Sequence, residues 1–423
     1  MNFYNYQKIR GTHGQNAIPS ETNSDTEVLY NDLVRNQQKN INSYTGFWSF
    51  CLYDKSNNKI IGSRDHFGIK PLFIYESNTG DICLASELKA ILSLYPESRV
   101  PNINYIRRYI ARGWIDDTFE TSFANIKQIQ PATNFEITSD GLKLNTYWDP
   151  ALVDINVKEI YDPLETYNII QDSFLEGTYS DVKIAATLSG GIDSGAIVST
   201  LSRKDDLAIT SFSVNPKNSP DETYLAKETA KFVNARHFIF DHEEKDILQE
   251  IDEILVSSDE PFFNTSTIFQ KYLREKIHQR GYKVVLTGDG ADEIFSGYAK
   301  LFPIYLLSLI KLGKSEQANK YLKLGTDLTG RSVNDIIKSI HSLEQSGAGL
   351  RLIHSNKRGY EILGMENNEI NYLFDKNNSE IHEHLPLIYQ EMINRIQLDI
   401  PHHMRNEDRI SMRYGIESRP LFI

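Results

Sequence analysis

Two acidic, glycine-containing loops carry the residues of this sequence that could do chemistry. The first reads SGGIDS, residues 189–194, and lies between the apolar run KIAATL and the helical pattern GAIVSTLSR. A helix that begins directly after a buried strand presents backbone N–H groups to an anion. Consecutive glycines let the backbone approach phosphate oxygens closely, and Ser189 and Ser194 can donate hydroxyl hydrogen bonds. The loop therefore predicts a phosphate site.

Asp193 makes this loop informative, because a carboxylate among phosphate oxygens is repelled unless a divalent cation lies between them. The sequence therefore predicts magnesium. A second acidic loop, TGDGADE, residues 287–293, follows the apolar run YKVVL. Because ligands bind outside the carboxyl ends of parallel strands, we expect the two loops to face one crevice, where Asp193 and Asp292 would share the ion.

The alternative for the first loop is a glycine-rich turn without a ligand. The sequence holds no Walker A motif of the form GxxxxGK[ST], which excludes a kinase-type loop with a lysine on the terminal phosphates. Several other polar residues have structural explanations as good as functional ones. Asp221 and Glu222 are predicted as helix caps, and no zinc spacing accompanies the histidines, which are predicted to be structural. These histidines are His237, His402 and His403.

Two patterns of hydrophobicity divide the chain and predict the strands and helices that position the loops. From 46 to 149, short alternating runs separated by Asn, Gly and Asp predict an antiparallel sheet, with a hairpin turn at 56–58 and helices at 25–36 and 86–94. After the break at 147–150, apolar runs alternate with helical patterns, which predicts a doubly wound parallel sheet. Helical spacing continues beyond 298, at 333–343 and 381–396. The fold class is therefore α/β.

Composition limits the partners. The formal net charge is −12 in 423 residues and no Lys/Arg cluster occurs, which argues against a nucleic-acid partner. Cys51 and Cys83 lie in apolar, strand-like runs and are predicted to be core thiols. The longest apolar stretch, 301–310, is about half a bilayer span by the usual length rule. We therefore expect a cytoplasmic enzyme with no membrane partner.

Several motifs together resemble a known family. SGGIDS resembles the pyrophosphatase loop of the ATP-pyrophosphatase superfamily, and LTGDGADEIFSGY and DRISMRYGIESRPLF are similar to signatures of glutamine-hydrolysing asparagine synthetases. SDTEV, RDHFGIKPLF, LASELKAIL and YWDP resemble the glutaminase domain of that family. The resemblance implies a partial Ntn-hydrolase-type antiparallel β-sandwich with helices in residues 1–150. It implies an ATP-pyrophosphatase domain with a helical C-terminal part in residues 151–423.

The resemblance also implies roles for individual residues. Asp193 and Asp292 would coordinate magnesium, and Asp25 in SDTEV would bind the amine of glutamine. Asp289 stands where many family members have glutamate and would take part in forming the β-aspartyl-adenylate. For Asp289 and Glu293 the alternative is a solvated turn and helix N-terminus. The implied ATP-binding residues are Leu188, Ser189, Gly190, Gly191, Asp193, Ser194, Val214, Thr287 and Gly288.

Charged residues near the C-terminal end of the sequence leave two interpretations open. They lie in the family-like segment DRISMRYGIESRPLF, but an ion-pair network between helices would explain them equally well. The residues concerned are Asp408, Arg409, Glu417 and Arg419.

The family reaction transfers ammonia to the side-chain carboxylate of aspartate at the expense of ATP, giving asparagine, AMP and pyrophosphate. The family's N-terminal cysteine nucleophile, the arginine and the Asn-Gly pair that hold glutamine, and a lysine beyond PLFI are not found in the sequence. We therefore expect no glutamine hydrolysis by the chain as written. Because both ends break inside family motifs, a fragment of a longer synthetase is the simplest explanation, and a natural truncation is the alternative.

Competing functions remain open at this point. Related enzymes that resemble β-lactam synthetases, lasso-peptide cyclases or sugar-acid amidating ligases share the adenylation and differ in the acceptor. A protein of another class would keep the nucleotide pocket without catalysis and regulate a partner. The expected partners are small molecules, namely ATP, aspartate and glutamine or ammonia. A homodimer is also left open.

Overall fold

The structure is a computed structural model. It describes residues 2–12, 22, 24–112, 118–152, 162–204, 209–216, 223–242, 247–262, 265–346 and 385–423. The chain folds into two units. The first consists of Met1–Pro101, Phe119–Asp289 and His403–Ile423, and the second of Asn102–Thr118 and Gly290–His402. Both candidate domains contribute to the first unit.

The N-terminal part of the first unit is built from antiparallel sheets, as the alternating runs predict. A four-stranded sheet has the order β3-β4-β8-β9, a three-stranded sheet has the order β6-β5-β7, and β1 pairs with β2. The strands are β1 Asn2–Phe3, β2 Gly46–Phe47, β3 Ser49–Asp54, β4 Lys59–Arg64, β5 Phe73–Glu76, β6 Ile82–Ala85, β7 Ile126–Gln128, β8 Thr133–Thr138 and β9 Gly141–Thr146.

The hairpin predicted at 56–58 is confirmed. Strands β3 and β4 pair in register from Ser49 opposite Arg64 to Asp54 opposite Lys59. The Asp54 carboxylate accepts the backbone N–H groups of the two residues that follow Lys55, at 3.0 and 3.2 Å. Asn58 takes a positive φ of 48°, which asparagine tolerates better than most residues. The residues of the turn themselves therefore determine how β3 and β4 pair.

Among the described residues, three helices accompany these sheets: α1 Tyr6–Thr12, α2 Asp25–Asn36 and α3 Leu88–Leu94. Helix α2 has the predicted bounds, and the Ser24 side chain caps it by accepting the Thr26 N–H at 3.2 Å. Helix α3 begins two residues later than predicted. A core of buried side chains joins α1, α2 and the adjacent strands: Phe3, Ile9, Val28, Leu29, Leu33, Ile41, Tyr44 and Trp48.

One prediction about this part is wrong. Cys83 is half-buried, but Cys51 is exposed. Strand β3 lies at the edge of the four-stranded sheet, and its residues alternate between half-buried and exposed. An apolar alternating run shows that one face of a strand packs on a core, but not which residues belong to that face when the strand is at an edge. Cys51 belongs to the open face.

The C-terminal part of the first unit contains a five-stranded, entirely parallel sheet of order β12-β11-β10-β13-β14. Its strands are β10 Ile184–Thr187, β11 Thr210–Pro216, β12 Arg236–His242, β13 Val284–Thr287 and β14 Glu417–Pro420. The strand order reverses at β10, because β11 lies on one side of β10 and β13 lies on the other side. Such a reversal is where parallel sheets bind ligands.

Helices cover both faces of this sheet, so the doubly wound prediction is confirmed. Ala186 packs with Phe174 and Ile197 on one face, whereas its neighbour Ala185 packs with Leu273 and Ile277 on the other. Successive residues of a strand point to opposite faces, and both faces here are buried. The helices are α5 Pro163–Glu176, α6 Ile192–Leu201, α7 Thr223–Phe232, α8 Ile247–Ser258 and α9 Ser266–Gln279.

The second unit is helical where the structure describes it. Its helices are α4 Ile103–Arg112, α10 Ala291–Phe295, α11 Phe302–Lys311, α12 Ser315–Thr329, α13 Val333–Ser346 and α14 Leu387–Asn394, followed by a π-helix at Arg395–Asp399. Helix α15, Ile400–Arg413, begins in the second unit and continues into the first. The helix predicted at 381–396 falls partly on 381–384, which lie outside the described residues.

One helical segment in the described part of the chain, Ala291–Lys311, is long and apolar enough to cross a membrane by length and composition. Of its most apolar window, 44% is buried inside the protein, and core helices meet the same criteria. The segment is also interrupted, because Ser296 adopts a left-handed conformation with φ of 55° at the end of α10. Its buried leucines pack in the core of the second unit with Ala318, Ile336 and Ile340.

Candidate functional site

The first acidic loop leaves β10 and enters α6, as predicted. The backbone N–H of Ser189 donates to Ser194 Oγ at 3.1 Å, and the N–H of Gly191 donates to Ser189 Oγ at 3.2 Å. The two serine hydroxyls lie 3.1 Å apart. Gly190 has a φ of 89°, which residues with a Cβ rarely adopt. The serines therefore hold the shape of the loop in addition to any contact with a ligand.

The start of α6 forms the floor of this loop. Gly191 is the N-cap, and the half-buried Asp193 lies in the first turn. The first N–H groups of an α-helix have no acceptor within the helix, and the helix dipole adds partial positive charge there. The loop residues Ser189 and Gly191 are exposed, so this end of α6 lies at the protein surface. This is the geometry of an anion site.

The second acidic loop contacts the first through a glycine. A Cβ built on Gly288 would lie 3.0 Å from the Asp193 Cβ and 3.2 Å from the Ser194 backbone nitrogen. Thr287, the last residue of β13, is buried, and its Oγ1 has no hydrogen-bond partner within the described residues. The structure therefore brings Asp193, Ser194, Thr287 and Gly288 together at the carboxyl ends of adjacent strands, with the half-buried Asp289 next along the chain.

A hydrogen-bonded support beneath the first loop was not predicted. The hydroxyl of Ser213 on β11 donates to the carbonyl of the buried Leu188. His237 on β12 lies between Ser213 Oγ, 3.3 Å from its Nε2, and Ser211 Oγ, 2.9 Å from its Nδ1. Burial lowers the pKa of His237. The histidine therefore has a structural role, as predicted. Its partners could have been found from the sequence, because two serines spaced two residues apart lie on one face of a strand.

The remaining predicted site residues lie in other elements. Val214 is half-buried on β11, one residue beyond the support just described. Asp25 is half-buried as the first residue of α2, where Thr26 Oγ1 donates to its carboxylate at 3.3 Å. Helix α2 packs with the antiparallel sheets, whereas the two acidic loops follow strands of the parallel sheet. Asp25 therefore lies in a different part of the fold from those loops.

Asp292 lies in the second unit, in the first turn of α10. A Cβ on Gly297 would lie 1.9 Å from its Oδ1, so the carboxylate packs against that glycine. The neighbouring Glu293 is buried and accepts the hydroxyl of Tyr298. Since Asp193 belongs to the first unit, a magnesium ion shared by the two aspartates stays a prediction. No group of three or more His, Cys, Asp or Glu side chains suited to a metal occurs in the described part of the chain.

The charged residues near the C-terminal end do form ion pairs, but the pairs of Asp408 and Arg419 do not run between helices as the ion-pair interpretation had it. Asp408 pairs with Lys70 at 2.6 Å, and Arg419 pairs with Glu417. Arg419 also donates to the carbonyls of Gly177 and Tyr179, both at 2.7 Å. The contacts of Arg419 tie β14 to the residues that follow α5. Asp221 and Glu222 lie outside the described residues, so their predicted capping role stays a prediction.

Two family models match the chain. The glutamine amidotransferase domain matches residues 2–148, and asparagine synthase matches residues 166–423. The chain belongs to the asparagine synthase family. This confirms the resemblance read from the motifs, and the second match contains both acidic loops.

Curated asparagine synthetases show the same relationship. A putative glutamine-hydrolysing asparagine synthetase from Methanocaldococcus jannaschii is 31% identical over 318 residues, which covers 73% of this chain and 60% of the relative. Asparagine synthetase 1 from Bacillus subtilis is 28% identical over 297 residues, covering 70% of this chain and 46% of the relative. The chain thus spans between about half and three fifths of the length of these curated relatives.

A solved NMN synthetase from Francisella tularensis aligns with 58% of this chain and 97% of its own chain, at 18% identity and a TM-score of 0.26. This likeness is too slight to bear on the fold or the function.

Proposed function

We propose that the protein makes asparagine from aspartate by ATP-dependent adenylation of the side-chain carboxylate, followed by amide formation with ammonia. The observation that carries this proposal is the contact of Gly288 with Asp193 and Ser194 at the carboxyl ends of β10 and β13. A parallel sheet binds nucleotides at such a point. Family membership supports the choice of adenylation among the reactions that such a site could serve.

The residues present suit a nucleotide. The N–H groups at the start of α6 and the hydroxyls of Ser189 and Ser194 would hold the pyrophosphate, and Gly190 and Gly191 leave space for it. The buried Thr287 Oγ1, which lacks a partner within the described residues, is suited to a polar group of the ligand. Backbone and side-chain atoms of four residues at neighbouring strand ends would line the adenosine pocket. These residues are Leu188, Val214, Thr287 and Gly288.

Magnesium fits the oxygen ligands that Asp193 and Asp292 offer, because hard cations prefer carboxylates. The ion would neutralise negative charge on the phosphates as pyrophosphate leaves. Without it, the Asp193 carboxylate would repel the phosphates that the start of α6 attracts. We therefore include magnesium in the proposal with these two residues as its protein ligands.

The proposed reaction has two steps. An oxygen of the aspartate side-chain carboxylate attacks the α-phosphorus of ATP, and pyrophosphate leaves. Ammonia then attacks the acyl carbon, and AMP leaves with the oxygen that came from the carboxylate. Asp289, which follows Gly288 directly at this edge, is the side chain that we place nearest the acyl phosphate, where it would help to form the adenylate.

Residues 2–148 match an amidotransferase domain, which supports glutamine as the source of ammonia and Asp25 as a ligand of the glutamine amine. The two matched ranges also support a boundary at 150/151 between an amidotransferase domain and a synthetase domain. Both cysteines are free thiols, which agrees with the reducing cytoplasm that we propose as the location. The proposed small-molecule partners are ATP, aspartate and glutamine or ammonia.

The test is pyrophosphate release from Mg·ATP in the presence of aspartate and ammonium, since ammonium bypasses glutamine hydrolysis. We expect release that requires aspartate and yields asparagine in equal amount. Release that is independent of aspartate, or that requires a different carboxylic acid, would refute asparagine synthesis while keeping adenylation. Failure to bind Mg·ATP would refute both.

A further inference from the structure

The segment RDHFGIK, residues 64–70, is fixed by two buried charged groups. The Asp65 carboxylate accepts the backbone N–H groups of Phe67, Ile69 and Lys70 at 3.1, 2.9 and 3.0 Å. The Arg64 guanidinium donates to the carbonyls of Lys70 at 2.9 Å and of Gly68 at 2.7 Å, and also to that of Ile129. Asp65 is fully buried and Arg64 is 2% exposed. A segment held in this way presents its last side chain in one position.

That last side chain is Lys70, which crosses from the amidotransferase range to the synthetase range. Its Nζ lies 2.6 Å from Oδ1 of Asp408 on α15, and the two residues are 338 positions apart in sequence. Both are buried, at 8% and 6% exposure. Burial is the largest influence and acts to lower the pKa of Lys70, but the carboxylates of Asp408, Glu417 and Asp65 together outweigh it, and the pKa is raised. The lysine is therefore charged and committed to this partner.

Other contacts join the same two ranges around this pair. The Arg409 guanidinium lies 5.1 Å from the ring centroid of Phe73, and the Ser122 N–H donates to Glu260 at 2.9 Å. Lys89 lies 3.3 Å from Asp259, but its side chain is 45% exposed. We name this set the α15 interface; its members are Lys70, Phe73, Lys89, Ser122, Asp259, Glu260, Asp408 and Arg409.

Helix α15 is itself held on the synthetase side by buried ion pairs. Arg405 lies 3.0 Å from Glu260, and Arg274 on α9 pairs with Glu407. The helix then leads into β14, whose Pro420 lies opposite Thr287 of β13. Thus Lys70 contacts a helix whose position is already fixed relative to the parallel sheet, rather than a mobile surface group.

A buried ion pair adds little net stability, because desolvation offsets its attraction, but it demands a particular geometry. The contact of the Arg409 guanidinium with the face of the Phe73 ring sets no hydrogen-bond geometry, and exposed pairs such as Lys89 with Asp259 contribute little. Among the contacts described across this interface, the pair of Lys70 and Asp408 is the ion pair in which both side chains are buried. It is therefore suited to fix one orientation of the two domains.

We propose that Lys70 and Asp408 are positioning residues that fix how the amidotransferase domain docks on helix α15 of the synthetase domain. The inference rests on the proposed function only for the names of the two domains. The RDHFGIK segment would thus have a docking role. Its Arg64 and Asp65 side chains bind backbone groups and hold the segment in shape, and its Lys70 side chain contacts α15.

The test combines thermal unfolding with hydrogen exchange of the whole chain. Lys70→Met leaves the Asp408 carboxylate buried without its partner and should lower the melting temperature by roughly 5 °C, the order of magnitude expected for a broken buried pair in a chain of this length. K70M/D408L replaces the pair by apolar groups of similar size and should restore most of that loss. In K70M/D408L we nevertheless expect the backbone amides of 64–70 and 403–413 to exchange at least about tenfold faster than in the wild type, a loss of local protection of ~1.4 kcal/mol.

Lys59→Met is the matched control. Lys59 pairs with Glu136 at 2.9 Å within the four-stranded sheet, and both side chains are half-exposed. This variant should leave exchange at 403–413 unchanged. If K70M/D408L does not fold, Asp408→Asn keeps the side-chain volume and should show the same faster exchange. Wild-type exchange in K70M/D408L or D408N, at an unchanged melting temperature, would overturn the positioning role.

Failure of the proposed function is distinguishable from failure of this inference. None of these substitutions touches the two acidic loops, so Mg·ATP affinity in K70M/D408L should stay within about twofold of the wild type. A wild-type chain that does not bind Mg·ATP would refute the nucleotide site and leave the exchange result standing. A loss of Mg·ATP affinity confined to the variants would contradict a docking role that is separate from the nucleotide site.

Discussion

The two acidic loops and the α15 interface use charged and polar groups in opposite ways. At the loops, the start of α6 lies at the protein surface, Thr287 Oγ1 is buried without a partner within the described residues, and Gly288 packs against Asp193. At the α15 interface, the buried charges are paired over short distances, as with Lys70 and Asp408 at 2.6 Å. One region holds a helix N-terminus at the surface and a buried hydroxyl without a partner among the described residues, whereas the other uses its charges in ion pairs within the protein.

Residues that look alike in the sequence have different roles in these two regions. Asp193 and Asp408 are both aspartates in segments that resemble family signatures. Asp193 lies in the first turn of α6, while Asp408 is 6% exposed and bound to a lysine. Substitutions in the first region should therefore change ligand binding and rate, and substitutions in the second should change stability and domain docking.

The largest expected effect is that of Asp193→Asn on activity. Removing the carboxylate removes a proposed magnesium ligand while keeping the side-chain volume, so pyrophosphate release should fall by about 100-fold or more. The melting temperature should change little. Asp172→Asn, on the exposed side of α5, is the control and should retain wild-type activity. An Asp193→Asn variant with near wild-type release would remove Asp193 from the site.

Arg274→Met should instead lower the stability of the protein and leave ligand binding unchanged. The substitution leaves Glu407 buried without its ion-pair partner, which costs roughly 3–5 kcal/mol of unfolding free energy. Urea unfolding measures this loss, and the folded fraction should bind Mg·ATP with unchanged affinity. Lys59→Met breaks a half-exposed pair and should cost less than about 1 kcal/mol. Equal losses in the two variants would contradict the contrast between buried and exposed pairs.

Gly288→Ala sharpens the description of the loops. A Cβ at this position would lie 3.0 Å from the Asp193 Cβ and 3.2 Å from the Ser194 nitrogen, so the two loops must separate by a few tenths of an ångström. We expect Mg·ATP affinity to fall by about tenfold, or ~1.4 kcal/mol. Calorimetric titration measures it. Gly80→Ala is not a clean control because of its positive φ, whereas Gly11, which has open space around it, is suitable.

The last prediction concerns a pH dependence of stability that belongs to neither loop. His66 packs against the rings of Trp48, Tyr147 and Trp148, and burial lowers its pKa to about 4. The unfolded chain then binds one more proton than the folded chain between pH 6.5 and about 4. Stability contributed by neutral His66 is complete above pH 6.5 and declines as pH falls, by up to ~1.4 kcal/mol per pH unit.

His66→Gln should flatten that part of the stability curve while leaving Mg·ATP affinity at neutral pH unchanged. Urea unfolding of both proteins across this pH range measures the difference. Parallel curves would show that His66 titrates alike in the folded and unfolded chains.

Local features of the site could be predicted from sequence because each is set by neighbouring residues. The SGGIDS loop lies at a helix N-terminus after a strand, and the hairpin at 56–58 forms where Asn and Asp specify it. Pairings over long sequence distances could not be predicted. Lys70 and Asp408 are 338 positions apart, and β14, with the sequence ESRP, has little strand propensity and forms because β13 offers it a partner.

The central claim is that the edge formed by the two acidic loops adenylates the side-chain carboxylate of aspartate. The most direct measurement is the oxygen-18 content of AMP made from aspartate labelled in its side-chain carboxylate, with Mg·ATP and ammonium. The proposed sequence of steps predicts one labelled oxygen in the phosphate of each AMP that accompanies asparagine. AMP without label, formed at the same rate, would show that the carboxylate never attacks the α-phosphorus and would contradict the claim.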